Sequence, residues 1–200
     1  MKIKLRSLAS FFSLVFCSVV TGCLLPESNH VEPDYYLLSE SEIEQNVTSP
    51  KTNVSFYLRE IELPRYLKDS RMIYRPSVHT LSFRESKRWG EPLEDGIARV
   101  VSLNLQSALD GAKFSIFPNR RKDGLQWDLS ISFSAFEMVG KDVIIEAKWF
   151  AKDSQKTTRG DSFSAKFPLS EMADEVEEIE VFNMALAQLA GKISTSFRAQ

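Results

Sequence analysis

Residues 127–149 read WDLSISFSAFEMVGKDVIIEAKW, and two runs of strict alternation meet in them. Trp127, Leu129, Ile131, Phe133 and Ala135 alternate with Asp128, Ser130, Ser132 and Ser134. Side chains of an extended chain point to opposite faces in turn, so this stretch buries one row of large groups and leaves the other wet. Val143, Ile145, Ala147 and Trp149 repeat the pattern beyond Gly140-Lys141-Asp142, a turn that joins both runs into a hairpin. Trp127 and Trp149 fall on the inward rows and are expected in the core.

Downstream of the hairpin, Phe163, Ala165 and Phe167 supply one more strand. Residues 171–197 then read as a long helix. Met172, Val176, Ile179, Phe182, Leu186, Leu189, Ile193 and Phe197 recur at steps of three and four, a single apolar stripe suited to lie across a sheet. Glu171, Asp174, Glu175, Glu177, Glu178 and Glu180 come early, and Lys192 and Arg198 late, the order the helix dipole favours. The acid run at 174–180 is expected to be a solvated first turn, with a docking surface for a basic partner as the alternative.

Upstream, Phe114–Phe117 is a short strand stopped by Pro118. Residues 91–109 predict a second helix, with Pro92 in the first turn, Glu91, Glu94 and Asp95 at its positive end, and Gly111 as the stop. Its stripe is Leu93, Ile97, Val100 or Val101, Leu105 and Leu109. Further strand signals are Tyr35–Leu38, Val54–Leu58 with a slip of phase to Ile61 and Leu63, Met72–Arg75, and Thr80–Phe83, with Pro76 favouring a turn or edge. Residues 39–52, including the Asn46-Val47-Thr48 sequon, read as polar loop. Strands, helix, strands, helix give an α+β fold: one domain, a mostly antiparallel sheet, and two main helices packed against it.

The N-terminus carries a different message. Met1–Arg6 is basic, Leu8–Val20 is mostly apolar, and Thr21-Gly22 are small, the layout of a secretory signal peptide. The apolar run is short for a transmembrane span, which needs about 20 residues. Val20-Thr21-Gly22-Cys23 resembles the bacterial lipobox, in which the cysteine becomes the first mature residue and carries the lipid. The boundaries that follow are a signal peptide over 1–22, a Pro-containing lipidated tether over 23–34, and a folded domain over 35–200. Leu24, standing where enteric-type bacteria place a retention aspartate, points to the outer membrane, with the domain on its periplasmic face.

Removing residues 1–22 leaves 22 Lys and Arg against 27 Asp and Glu, a net charge of −5. An acidic chain matches nucleic acid poorly, and no nucleic-acid partner is expected. Cys17 leaves with the signal peptide and Cys23 is alkylated, so the domain must hold by packing without disulfides. His30 and His79 have no Cys, Asp or Glu at metal-ligand spacing. GxSxG, HExxH, Walker A and GxGxxG are all absent from the sequence, so no metal, cofactor or catalytic residue is assigned. Scattered carboxylates could still assemble a lipid-anchored hydrolase, and a structural or assembly lipoprotein of another envelope complex is the second alternative. Tyr35, Tyr36 and Tyr57 are candidate interface residues.

Arg88-Trp89-Gly90-Glu91-Pro92-Leu93 reads physically as a helix start, with Trp89 folding against the first turn and Leu93 opening the stripe. The same segment is where the chain resembles the ABC-type transport auxiliary lipoprotein family (PqiC/YmbA-like). Four stretches carry the resemblance in order: the lipobox ending at Cys23, Tyr35-Tyr36-Leu37-Leu38, Val54–Leu63 leading through Pro64-Arg65-Tyr66-Leu67 to Met72–Arg75, and Arg88–Leu93. The family typically reads RWAEPL at the last, so Gly90 departs from it. Arg88, Trp89, Glu91, Pro92 and Leu93 are thus motif residues, expected to be structural. The resemblance implies a non-enzymatic accessory role in intermembrane lipid transport. It implies an MCE-domain (PqiB-like) partner, an outer-membrane anchor, phospholipid as cargo, and a homo-oligomeric ring matching the symmetry of MCE rings.

Overall fold

The computed structural model describes residues 31–41, 52–170 and 173–198. The signal peptide, Cys23, His30, the sequon, Glu171 and Met172 lie outside the described residues. At the centre is the expected hairpin: β6 (Trp127–Val139) pairs antiparallel with β7 (Asp142–Asp153) across a turn in which Gly140 has φ 62°. β8 (Thr158–Pro168) pairs antiparallel with β7 along its whole length and forms a free edge. Trp127, Leu129, Ile131 and Phe133 are buried on one face, together with Val143, Ile145, Ala147 and Trp149.

Ala135 departs from the expected row. Phe133 pairs with Ala147 but Ala135 pairs with Glu146, so a bulge at Ser134 inverts the phase. Phe136 therefore takes the core position, and Glu137 is turned to the opposite face.

The other edge of β6 is shared by two parallel neighbours. β2 (Ser55–Leu58) lies beside Trp127–Leu129, and β3 (Arg71–Ser77) beside Met138–Val139. Between them the chain leaves the ladder after Leu58 and returns as an isolated bridge from Glu62 to Ser132, which is how Ile61 and Leu63 reach the core after the slip. A 3-10 turn, Arg65–Lys68, then leads into β3. β4 (Thr80–Trp89) pairs antiparallel with β3 and runs six residues past the expected Phe83, carrying Arg88 and Trp89 as strand residues. Pro76 sits in β3 where its register with β4 breaks, beside the exposed hairpin tip. β1 (Asp34–Tyr36) lies parallel to the end of β4 and ends two residues before the expected Leu38, and β5 (Lys113–Ile116) lies parallel to β2. The four parallel ladders are short and the antiparallel ones long, giving a mixed, mostly antiparallel eight-stranded sheet.

Both helices cover one face. α1 (Leu93–Ala108) starts one residue after Pro92, which sits at the capping position rather than in the first turn; its carbonyl accepts from the amides of Asp95 and Gly96. Val100 and Val101 are both fully buried, because α1 packs on the sheet and also on α2 (Glu175–Arg198). Gly111 ends the segment with φ 84°, and a Cβ there would stand 2.9 Å from the Thr52 carbonyl oxygen. In α2 the stripe from Ile179 to Phe197 is buried as expected. Phe197 meets Phe56 and Trp127 edge-on, and Phe182 stacks on Phe136 with ring centroids 4.3 Å apart.

The helix start differs from expectation. Val176 is exposed, and Glu178 is 2% exposed instead of solvated. Arg84 beneath it supplies the reason, as the partner of the Glu178 carboxylate. Residues 33–200 form one compact α+β unit; of the preceding unit, 1–32, only Val31 and Glu32 are described.

Candidate functional site

Strand alternation at the end of β4 separates the motif residues. Trp89 turns toward the helices and meets Phe182 at 6.2 Å between ring centroids, while its amide donates to the Ser70 carbonyl. Glu91 accepts from Arg99, which also donates to the Leu38 carbonyl and so ties the segment after β1 to α1. Pro92 caps α1 and Leu93 is buried in the core. Four of the five motif residues are thereby occupied within the fold.

Arg88 is the exception. It is opposite Arg71 on β3 and Tyr35 on β1, so the three share the face away from the helices. Both oxygens of Asp69 are taken by Arg71, which also pairs with Glu85 at 2.6 Å and lies over the Phe83 ring. Hydrogen bonds from the Arg71 side chain and backbone hold the Asp69 carboxyl down at about 2, with Arg88 adding only a weak pull. Arg88 itself makes no hydrogen bond or ion pair among the described residues, and its buried Nε has no acceptor. Tyr35, 65% exposed, and Leu37, 55% exposed, flank it.

Gly90 completes this corner. Its amide donates to the Tyr36 carbonyl, and a Cβ there would stand 3.1 Å from Cδ2 of the exposed Leu37 side chain. A flexible terminal methyl can yield, so Gly90→Ala is expected to stabilise the protein by about 0.4–1 kcal/mol through the unfolded chain. A lower melting temperature in thermal unfolding would show that Leu37 is fixed in place.

On the helix side of the same strands, Lys87 pairs with Asp34 at 2.8 Å and approaches Glu175 at 3.7 Å. Arg84 pairs with Glu178 at 2.7 Å. Burial pushes the Glu178 carboxyl up, against the opposing charge and hydrogen bond of Arg84. A second buried acid, Glu137 at 1% exposure, accepts from Arg75 at 2.9 Å on the opposite face. Burial raises the Tyr66 hydroxyl pKa, and the adjacent Glu137 charge raises it further. Sequence reading missed Glu178 and Glu137 as buried acids. A bulge turned one away from the core face and toward Arg75, and a partner 94 positions away made the other tolerable.

No three His, Cys, Asp or Glu side chains converge on a metal site among the described residues. His79 lies exposed at the β3–β4 tip. The ion pairs above tie strands, helices and the segments between them to one another, and none of them presents a nucleophile beside a base. Tyr36 and Tyr57 are half-buried, and Tyr36 receives the Lys87 ammonium at 3.2 Å. What the surface offers is a cation with exposed aromatic and aliphatic neighbours, the composition of a protein contact.

None of the curated proteins matches this chain. Among solved structures, an uncharacterized protein superposes with TM-score 0.69 at 18% identity, covering 84% of this chain and 99% of its own. Protein XCC0632 from Xanthomonas campestris, of family DUF330, superposes with TM-score 0.66 at 16% identity, covering 80% of this chain and 92% of its own. At these identities the likeness is one of fold. The model of the ABC-type transport auxiliary lipoprotein component matches residues 36–194, most of the described domain, and the chain belongs to that family.

Proposed function

We propose that this protein is an outer-membrane lipoprotein, anchored through Cys23, that serves without catalysis as an accessory component of an MCE/Pqi-type intermembrane lipid transport system. The family match over residues 36–194 carries this reading. The lipobox supports it: each buried methylene contributes about 0.8 kcal/mol, so several acyl chains fasten the domain stably. The domain boundaries proposed are 1–22, 23–34 and 35–200. A homo-oligomeric ring, an MCE-domain (PqiB-like) partner and phospholipid cargo complete the proposal.

The test is affinity purification of the full chain from detergent-solubilised envelopes. An MCE-domain protein is expected to co-purify; recovery of secretion or cell-wall machinery in its place would overturn the reading. Cys23→Ser is expected to abolish lipid attachment and leave an uncleaved precursor, seen as a mass lacking acyl chains. Unchanged detergent-dependent fractionation of that variant would contradict the anchor.

A further inference from the structure

The helices cover one face of the sheet, and the opposite face is open at the corner formed by Arg88, Tyr35 and Leu37. Arg88 has no partner there among the described residues, although Arg71, directly opposite it, is held by two carboxylates. The exposed ridge of α2 has the complementary character. Val176 is 57% exposed and Met184 38% exposed, with the exposed Glu180 midway between them. Glu175 and Glu178 are turned toward Lys87 and Arg84, and Glu177 accepts from Ser170, but Glu180 has no hydrogen bond or ion pair among the described residues.

We propose that these surfaces join copies of this chain: the Arg88–Tyr35–Leu37 corner of one copy seats on the Val176–Glu180–Met184 ridge of the next, with Arg88 paired to Glu180. The contact deepens the ring in the proposed function and rests on that part of it. It unites two different surfaces from opposite layers of the fold, so it is head-to-tail and propagates until the rotation closes. Tyr and Arg beside aliphatic side chains form the centre of such an interface. The pairing gives the motif arginine its occupant.

The experiment uses the full lipidated chain in detergent, with native mass spectrometry and a dilution series. Arg88→Glu and Glu180→Arg are each expected to weaken association about tenfold or more, and the combined reversal to restore it, since charge complementarity is regained. Folding of each variant is checked by thermal melting. Independently, cells co-expressing a Tyr35→Cys copy and a Met184→Cys copy are expected to yield a mixed disulfide-linked dimer under mild oxidation. A monomeric wild type, association unaffected by either reversal, or crosslinking only between two copies of the same variant would overturn the proposal. So would capture of position 35 by another protein alone. Co-purification of a transport partner is read separately: its failure leaves a positive crosslink standing, and a missing crosslink leaves the transport reading intact.

Discussion

Arg84→Ala is expected to destabilise the protein by about 3–5 kcal/mol at neutral pH. The guanidinium holds Glu178 at 2.7 Å beneath the first turns of α2, where the carboxylate is almost fully enclosed. Removing it leaves a buried negative charge whose other neighbour, Glu175, repels it. The pH dependence has a definite sign. Burial raises the folded-state pKa of Glu178, so its contribution is most favourable below the unfolded glutamate range and is lost as pH rises through the folded value. Without Arg84 that rise steepens. The deficit against wild type should therefore be largest near neutrality and shrink as pH falls toward 4. Asp69 and Asp128, whose pKa values are lowered, lose their contributions on acidification in both proteins, and these largely cancel in the difference. Urea unfolding at two pH values measures it. An equal deficit at both would mean that the loss comes from packing of the arginine stem.

Phe182→Ala should cost a similar amount, about 3–5 kcal/mol. Phe182 fills the space between α2 and the sheet, stacked on Phe136 and edge-on to Trp89. The expected fall in melting temperature is roughly 10 °C or more for a domain of this size. Phe136→Ala removes the other half of the same stack, so the double variant should lose less than the sum of the two. Strict additivity would show that the rings do not act as a pair. A loss under about 1 kcal/mol would mean that the site collapses around the void.

The elements that were legible in the sequence are those whose side chains alternate or recur without interruption. The β6–β7 hairpin announced itself through Trp127–Phe133 and Val143–Trp149, and α2 through Ile179–Phe197. Reading failed where a local irregularity changed the phase. One bulged residue at Ser134 moved Ala135 off the core face and Glu137 into a buried ion pair. The length of β4 was hidden for another reason: Arg84 and Lys87 look like a loop until their carboxylates, supplied from distant elements, are in place. The parallel pairings of β2 and β3 were invisible, since nothing local says which strand will stand between two segments. At the motif, Trp89, Pro92 and Leu93 were expected to open the helix; Trp89 instead ends β4 and packs on Phe182, while Pro92 caps α1 and Leu93 is buried. That Arg88 would be left over could not be seen, because it depends on Arg71 claiming Asp69 and Glu85 first.

The placement of β6 also dictates timing. Both β2 and β3 dock on a strand that begins more than fifty positions later, and that strand is itself steadied by β7 on its far side. A polypeptide delivered N-terminus first thus cannot complete its early strands until the hairpin ending at Asp153 has emerged.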